Sequence, residues 1–174
     1  MRLTDRWLVP DEYHDDIYCI DLDRLRDAGI RAVLLDIDNT LVTYDDPEPT
    51  ERVLRWFDEL KKRDIQIALI SNNNRERVEL FNSRLGFHAY SKSGKPSVRC
   101  YNDALTKMKA GREECAVIGD QVFTDVWSGR RIGAYTVLVK PIKDKTSLFF
   151  RFKRALEKPV LKRYEKLHGK PGNT

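Results

Sequence analysis

Residues 31–40 read Arg-Ala-Val-Leu-Leu-Asp-Ile-Asp-Asn-Thr, so that four apolar residues run straight into two aspartates separated by one isoleucine. An unbroken apolar run of this length suits a strand covered on both faces, as in a parallel sheet between helices. Side chains alternate along a strand, which puts Asp36 and Asp38 on one side of it. Two like charges so close repel, and a divalent cation is the usual remedy. A hard ion such as Mg²⁺ takes oxygen ligands and leaves room for a phosphate in its coordination sphere.

The same strand signal recurs at 65–70, 116–118 and 135–139. Amphipathic stretches alternate with these runs. Pro49-Thr50 opens a helix whose Val53, Leu54, Phe57 and Leu60 are expected on one face. Further helices are predicted at 75–85 before Gly86, 97–109 before Gly111 and 123–132 before Gly133. The alternation predicts an α/β fold, a Rossmann-like three-layer α/β/α sandwich with a mainly parallel sheet. One domain is expected over 1–174: an appendage at 1–30 with a short helix at 22–28, a core at 31–140 and a basic helical tail at 141–174. From Thr146 that tail should carry Leu148, Phe149, Phe152, Ala155 and Leu156 on one side, and Pro159 should kink or end its first part.

A chain of 174 residues, 41% of them hydrophobic, is long enough for a single core. No apolar run approaches the roughly 18 residues that span a bilayer. The acidic residues near the start argue against a signal peptide, so a cytoplasmic location is expected. Cys19, Cys100 and Cys115 have no disulfide or zinc spacing and are expected as reduced core residues. The net charge of +5 is uneven: residues 140–174 hold eleven Lys or Arg against Asp144, Glu157 and Glu165, leaving the rest of the chain near −3.

Three later pieces return to the chemistry of the first. Ser71-Asn72 follows the second strand and offers a hydroxyl and an amide to phosphoryl oxygens. Lys95, in Ser93-Gly-Lys-Pro96, is a cation able to neutralise charge on a phosphoryl group in flight. Gly119-Asp120 and Asp125 add two carboxylates at the end of the third strand, the edge where ligands bind in open parallel sheets. Each piece also has a plainer reading: a solvated Asp-x-Asp turn, a surface lysine before Pro96, a cap at Asn73 or Asn74, or a first-turn carboxylate at Asp125 favoured by the helix dipole. Their order along one chain favours the chemical reading. His14, His88 and His168 show no ligand spacing and read as surface or packing residues.

In this ordered set, Asp36-x-Asp38-x-Thr40, Ser71, Lys95 and Gly119-Asp120-x-x-x-x-Asp125, residues 30–140 resemble the haloacid dehalogenase superfamily of phosphohydrolases. LLDIDNTLV, ALISNNN, SGKPS and VIGDQVFTDVWSGRRIGAYTVLVKPI look like its bacterial YqeG-type, subfamily IIIA branch, itself similar to mitochondrial phosphatidylglycerophosphate phosphatases. The resemblance implies that Asp36 attacks phosphorus to form a phosphoaspartate and that Asp38 serves as acid and then base. It implies a Mg²⁺ ion on Asp36, the main-chain carbonyl of Asp38, and Asp120, with Asp125 touching it through water or orienting Lys95. Ser71 and Asn72 would bind the phosphoryl oxygens.

The short spans between Asp38, Ser71 and Lys95 leave no room for a substantial cap domain, and an open mouth suits a macromolecular or membrane-borne phosphate. Together with the basic, aromatic tail, this fits the substrate that the branch resemblance implies, phosphatidylglycerophosphate as the phosphate monoester, reached from the cytosolic membrane face. A basic helix with Phe149, Phe150 and Phe152 suits an anionic phospholipid headgroup layer, at about 1 kcal/mol per cation. A merely solvated basic face competes with that reading, whereas no recognised motif supports nucleic acid. A soluble nucleotide or sugar phosphate is the alternative substrate. From another class, a receiver-like phospho-acceptor or a basic RNA-associated module would bind without hydrolysing.

Overall fold

The computed structural model describes residues 3–143 and 148–169. The strands are β1 (Glu12–His14), β2 (Ala32–Leu35), β3 (Gln66–Ile70), β4 (His88–Tyr90), β5 (Cys115–Gly119) and β6 (Tyr135–Val139). They form one sheet in the order β1-β6-β5-β2-β3-β4, parallel at every pairing. The helices are α1 (Leu3–Leu8), α2 (Leu22–Asp27), α3 (Glu51–Lys62), α4 (Arg75–Asn82), α5 (Arg99–Met108), α6 (Trp127–Ile132) and α7 (Leu148–His168).

Alternation along the central strand creates the three layers. Val33 and Leu35 pack with Val53, Phe57 and Leu60 of α3 and Phe81 of α4. Ala32 and Leu34 face the other way, onto Tyr101, Leu105 and Met108 of α5 and Ile132 of α6. Each fully buried large apolar side chain contributes roughly 1.5–3 kcal/mol, so the strand at the centre of both clusters is firmly held. Its neighbours are fixed in register, with Leu35 opposite Leu69 on one side and Ile118 on the other. The segments leaving β2, β3 and β5 therefore emerge side by side at one edge.

Two strands beyond the expected four appear at the ends of the sheet. Both β1 and β4 are three residues long and, Ala89 apart, carry polar or aromatic side chains, so neither leaves an apolar run in the sequence. Within the expected 1–30 appendage, Glu12–His14 thus form a strand of the sheet, and Ile17, Ile20, Leu22 and Leu25 join the core. On α3, Leu54 is 37% exposed and Trp56 is buried in its place. Residues at i, i+3, i+4 and i+7 share a helix face, whereas i+1 is turned well away from it. Cys115 is buried, but Cys19 is exposed and Cys100 only half-buried, so the expectation of three core cysteines holds for one.

The expected helix at 123–132 begins instead as a π-helical turn, Val122–Val126, and continues as α6. Such turns are rare and cluster at functional positions. The helix α7 runs through Pro159 without ending there, and its expected start at Thr146 lies outside the described residues, as do the side chains of Leu148, Phe149 and Phe150. Phe152 and Leu156, expected on its apolar side, are exposed. The residues that anchor the helix lie further on. Val160 and Leu161 pack against Val122, Val126 and Leu138, and Arg163 pairs with Asp5 at 2.8 Å. Tyr164 meets the Tyr13 ring edge-on and accepts a hydrogen bond from its amide at 3.0 Å. The helix thus covers the β1 edge, whose outward amides would otherwise invite another strand.

Candidate active site

Asp36 leaves β2 between its two sheet neighbours, its amide still bonded to the Ile118 carbonyl at 3.0 Å. Asn39, the residue after the isolated β-bridge position Asp38, has φ +71, a left-handed conformation that asparagine tolerates better than most residues. The resulting tight turn lets the Thr40 hydroxyl return to donate to Asp36 Oδ2 at 3.2 Å.

Lys95 approaches from the loop before α5. Its ammonium lies 2.5 Å from Asp36 Oδ1 and 2.7 Å from Asp125 Oδ1. Carboxylate oxygens of Asp36, Asp120 and Asp125 lie within 4.8 Å of one another, and all three residues are buried. Burial pushes the Asp36 carboxyl up to about 8; Lys95 pulls it back in part, and the Asp125 and Asp120 charges add to the rise. Burial works against a charged Lys95, but Asp125 and Asp36 hold its ammonium well above the ordinary lysine range.

This cluster fits a divalent cation. Once Asp36 gives up its proton, three carboxylates face the single Lys95 ammonium in a buried place, and all the donors are oxygens of the kind Mg²⁺ prefers. The loop that carries two of them depends on Gly119: a Cβ there would stand 2.3 Å from Asp125 Cγ.

Asp38 is buried beside this cluster but its carboxylate faces elsewhere. Arg77 donates to Oδ1 from Nε at 3.2 Å and from Nη2 at 3.0 Å, while Asn73 Nδ2 donates to Oδ2 at 2.9 Å. Ser71 is buried and its Oγ accepts from the Asn73 amide at 3.0 Å. Asn72 is tied to the lysine loop: its Oδ1 accepts from the Lys95 amide at 2.8 Å and from the Ser93 hydroxyl at 3.0 Å. Asn74 caps α4 by accepting from the Arg77 amide.

These side chains line a cleft of about 260 Å³, with Tyr44, Asn73, Gln121 and Thr124 completing its wall. Every expected site residue is thus at or under this cleft: Asp36, Asp38, Ser71, Asn72 and Lys95 line it, and Asp120 and Asp125 join Asp36 beneath. Arg77, Tyr44, Gln121 and Thr124 went unread in the sequence. Arg77 sits in the first turn of a polar helix, and nothing in its neighbours distinguishes it from a solvated arginine. No helix of the described residues is long and apolar enough to cross a membrane.

Comparison with known proteins identifies the family. Residues 21–133 match the haloacid dehalogenase-like hydrolase family. The chain is 38% identical over 156 residues to the "Probable phosphatase YqeG" of Bacillus subtilis (strain 168), covering 90% of this chain and 91% of that one. Among solved structures, the cobalt-bound deoxy-D-mannose-octulosonate 8-phosphate phosphatase of Haemophilus influenzae aligns with a TM-score of 0.51 at 17% identity, covering 81% of this chain and 92% of that one. The 3-deoxy-D-manno-octulosonate 8-phosphate phosphatase of Yersinia pestis gives 0.51 at 20%, covering 87% and 91%. At such identities these structures share the fold alone. With the family match and the close relative spanning most of both chains, the chain belongs to the haloacid dehalogenase-like hydrolases and, within them, to the YqeG family of phosphatases.

Proposed function

We propose that the protein is a Mg²⁺-dependent phosphomonoesterase that works through a phosphoaspartate on Asp36 and takes phosphatidylglycerophosphate as its substrate. The observation that carries the chemistry is the buried Asp36 carboxylate at the floor of the cleft, 2.5 Å from Lys95 and grouped with Asp120 and Asp125. Asp36, Asp120 and the main-chain carbonyl of Asp38 would hold the ion, with Asp125 behind them and bonded to Lys95. Bound there, Mg²⁺ would draw charge from the phosphoryl oxygens and keep Asp36 ionised.

Ser71 and the Lys95 ammonium orient the phosphoryl group for in-line attack. An Asp36 oxygen bonds to phosphorus as the ester P–O bond breaks, and Asp38 gives its proton to the departing alkoxide. Asp38 then takes a proton from water, whose oxygen attacks the phosphoaspartate and releases inorganic phosphate with the Asp36 carboxylate restored. Asn72 acts through the lysine loop, which it clamps at both Ser93 and Lys95.

The lipid substrate rests on the motif resemblance and on the open cleft, which no inserted cap covers among the described residues. The exposed Phe152 and Leu156, one turn apart on α7 beside the exposed Lys158, support peripheral contact with an anionic membrane face. The test is phosphate release from phosphatidylglycerophosphate in mixed micelles with Mg²⁺, by wild type and by Asp36→Asn. Activity on the lipid that Asp36→Asn abolishes is expected. Wild type active on soluble esters but inert on the lipid would end the substrate half and leave the chemistry standing.

A further inference from the structure

We infer that Glu157, on the C-terminal helix α7, is a positioning residue for the 120–125 loop, which makes that helix a working part of the site and not a detachable tail. Glu157 is 2% exposed, an unfavourable place for a carboxylate unless it accepts strong hydrogen bonds. Its Oε1 accepts from the Val122 amide at 2.9 Å. Val122 opens the π-helical turn, and Gln121 before it gives no side-chain cap. An amide that the loop leaves without a local cap is thus satisfied from another helix, by a buried side-chain acceptor of the right reach.

From Val122 the constraint reaches the chemistry in two steps. The Gln121 amide donates to Asp125 Oδ2 at 3.1 Å, and the Asp125 amide donates back to the Gln121 carbonyl at 3.0 Å. Asp125 Oδ1 in turn holds Lys95. Fixing 121–122 therefore fixes Asp125 and the lysine that faces Asp36. Ser71 stands on another element outside this chain of contacts, and Asn72 meets it only at the Lys95 main-chain amide, not at the ammonium. Loosening Glu157 should accordingly disturb the cation cluster more than the binding of the ester. The inference rests on the Mg²⁺-dependent reading above, and it concerns which residues support that cluster.

The test compares Glu157→Ala, Glu157→Asp, Glu157→Gln and Tyr164→Phe with wild type. Aspartate is too short to reach Val122 and glutamine keeps an acceptor, whereas Tyr164→Phe loosens the far end of α7 only. Two quantities are read in each: the Mg²⁺ concentration for half-maximal hydrolysis of p-nitrophenyl phosphate, and hydrogen exchange at the Val122 amide in metal-free protein. For Glu157→Ala and Glu157→Asp the Mg²⁺ requirement should rise about tenfold or more, with kcat reduced and KM for the ester little changed. Val122 exchange should quicken in the same two variants, and Glu157→Gln and Tyr164→Phe should stay close to wild type in both readouts. If Glu157→Ala fails to fold, Glu157→Asp carries the comparison. Unchanged Mg²⁺ dependence in a folded Glu157→Asp would overturn the inference, as would a Glu157→Gln as impaired as Glu157→Asp or an equal shift in Tyr164→Phe. A wild type that needs no metal defeats the parent reading instead, and Val122 exchange then still decides whether Glu157 holds the loop.

Discussion

Lys95 Nζ stands 2.7 Å from Asp125 Oδ1, with the two side chains 3% and 2% exposed, beneath a cleft that holds Asp36 on the lysine's other side. Removing one member of a buried ionic group leaves its partners uncompensated, at a cost of about 3–5 kcal/mol. Lys95→Met should therefore melt well below wild type when metal-free and recover much of that loss in Mg²⁺, which supplies the missing positive charge. Hydrolysis should not recover, because the cation that faces the transferring phosphoryl group is gone, and kcat should stay down by about 10²–10³. Thermal melts with and without Mg²⁺, set beside kcat, check both halves; a metal-free melt equal to wild type would contradict the role given to Lys95.

Gly119 offers a sharper test of the loop. The nearest atoms to an added Cβ belong to Asp125, at 2.3 to 2.5 Å, and Asp125 is itself tied to Lys95 and to the Gln121 amide. It has no free direction in which to retreat. Gly119→Ala should cost activity by about 10²-fold, the effect of misplacing a reacting group by an ångström, while the rest of the sheet persists. A folded Gly119→Ala, judged by its circular dichroism, that kept wild-type kcat would show that Asp125 tolerates displacement.

The reach of the sequence follows from where each signal is stored. The 31–36 run, the Asp36-x-Asp38 pair and the positions of Lys95, Asp120 and Asp125 are legible because buried strands and close carboxylates leave local patterns. The sheet edges are not, since Glu12–His14 and His88–Tyr90 owe their strand conformation to a neighbour and carry too few residues to show a period. Arg77 and Glu157 are hidden for a related reason. Each acts on a partner 35 to 39 residues away, Asp38 or Val122, through a hydrogen bond that leaves no trace in the residues around it. Leu54 lies one residue out of helical phase with the buried face, which Trp56 completes through packing that no local pattern records.

The raised Asp36 carboxyl predicts how pH acts on the metal-free protein. Burial is the main cause, offset in part by Lys95 and reinforced by Asp125 and Asp120, and the group moves from 3.8 to about 8. The folded chain then holds this proton more tightly than the unfolded chain does, so the group's stabilising contribution is complete below pH 3.8 and is lost as pH rises to about 8. An incoming cation must displace the same proton. Apparent Mg²⁺ affinity should accordingly climb by up to about tenfold per pH unit towards pH 8 and level off above it. Thermal-shift titrations with Mg²⁺ at three pH values measure the slope, and a flat response would remove the displaced proton from the account.

Arg77 joins three segments at the edge of the cleft. Beyond its two bonds to Asp38 Oδ1, it donates to the Pro47 carbonyl at 2.9 Å and the Thr43 carbonyl at 3.4 Å, so one planar guanidinium sets both the Asp38 carboxylate and the loop beside it. A lysine keeps the charge but lacks the fork that spans these acceptors. Arg77→Lys and Arg77→Ala should therefore both lower kcat by about tenfold or more by freeing Asp38 from its orientation, with the fold retained. The loss should depend on the leaving group. An alkyl phosphate expels a strongly basic alkoxide and needs the proton that Asp38 delivers, whereas p-nitrophenolate departs with little help. Comparing the two esters across wild type and both variants isolates this effect: an alkyl ester should suffer the larger drop, and equal drops for both would mean that Arg77 supports the loop without serving proton transfer.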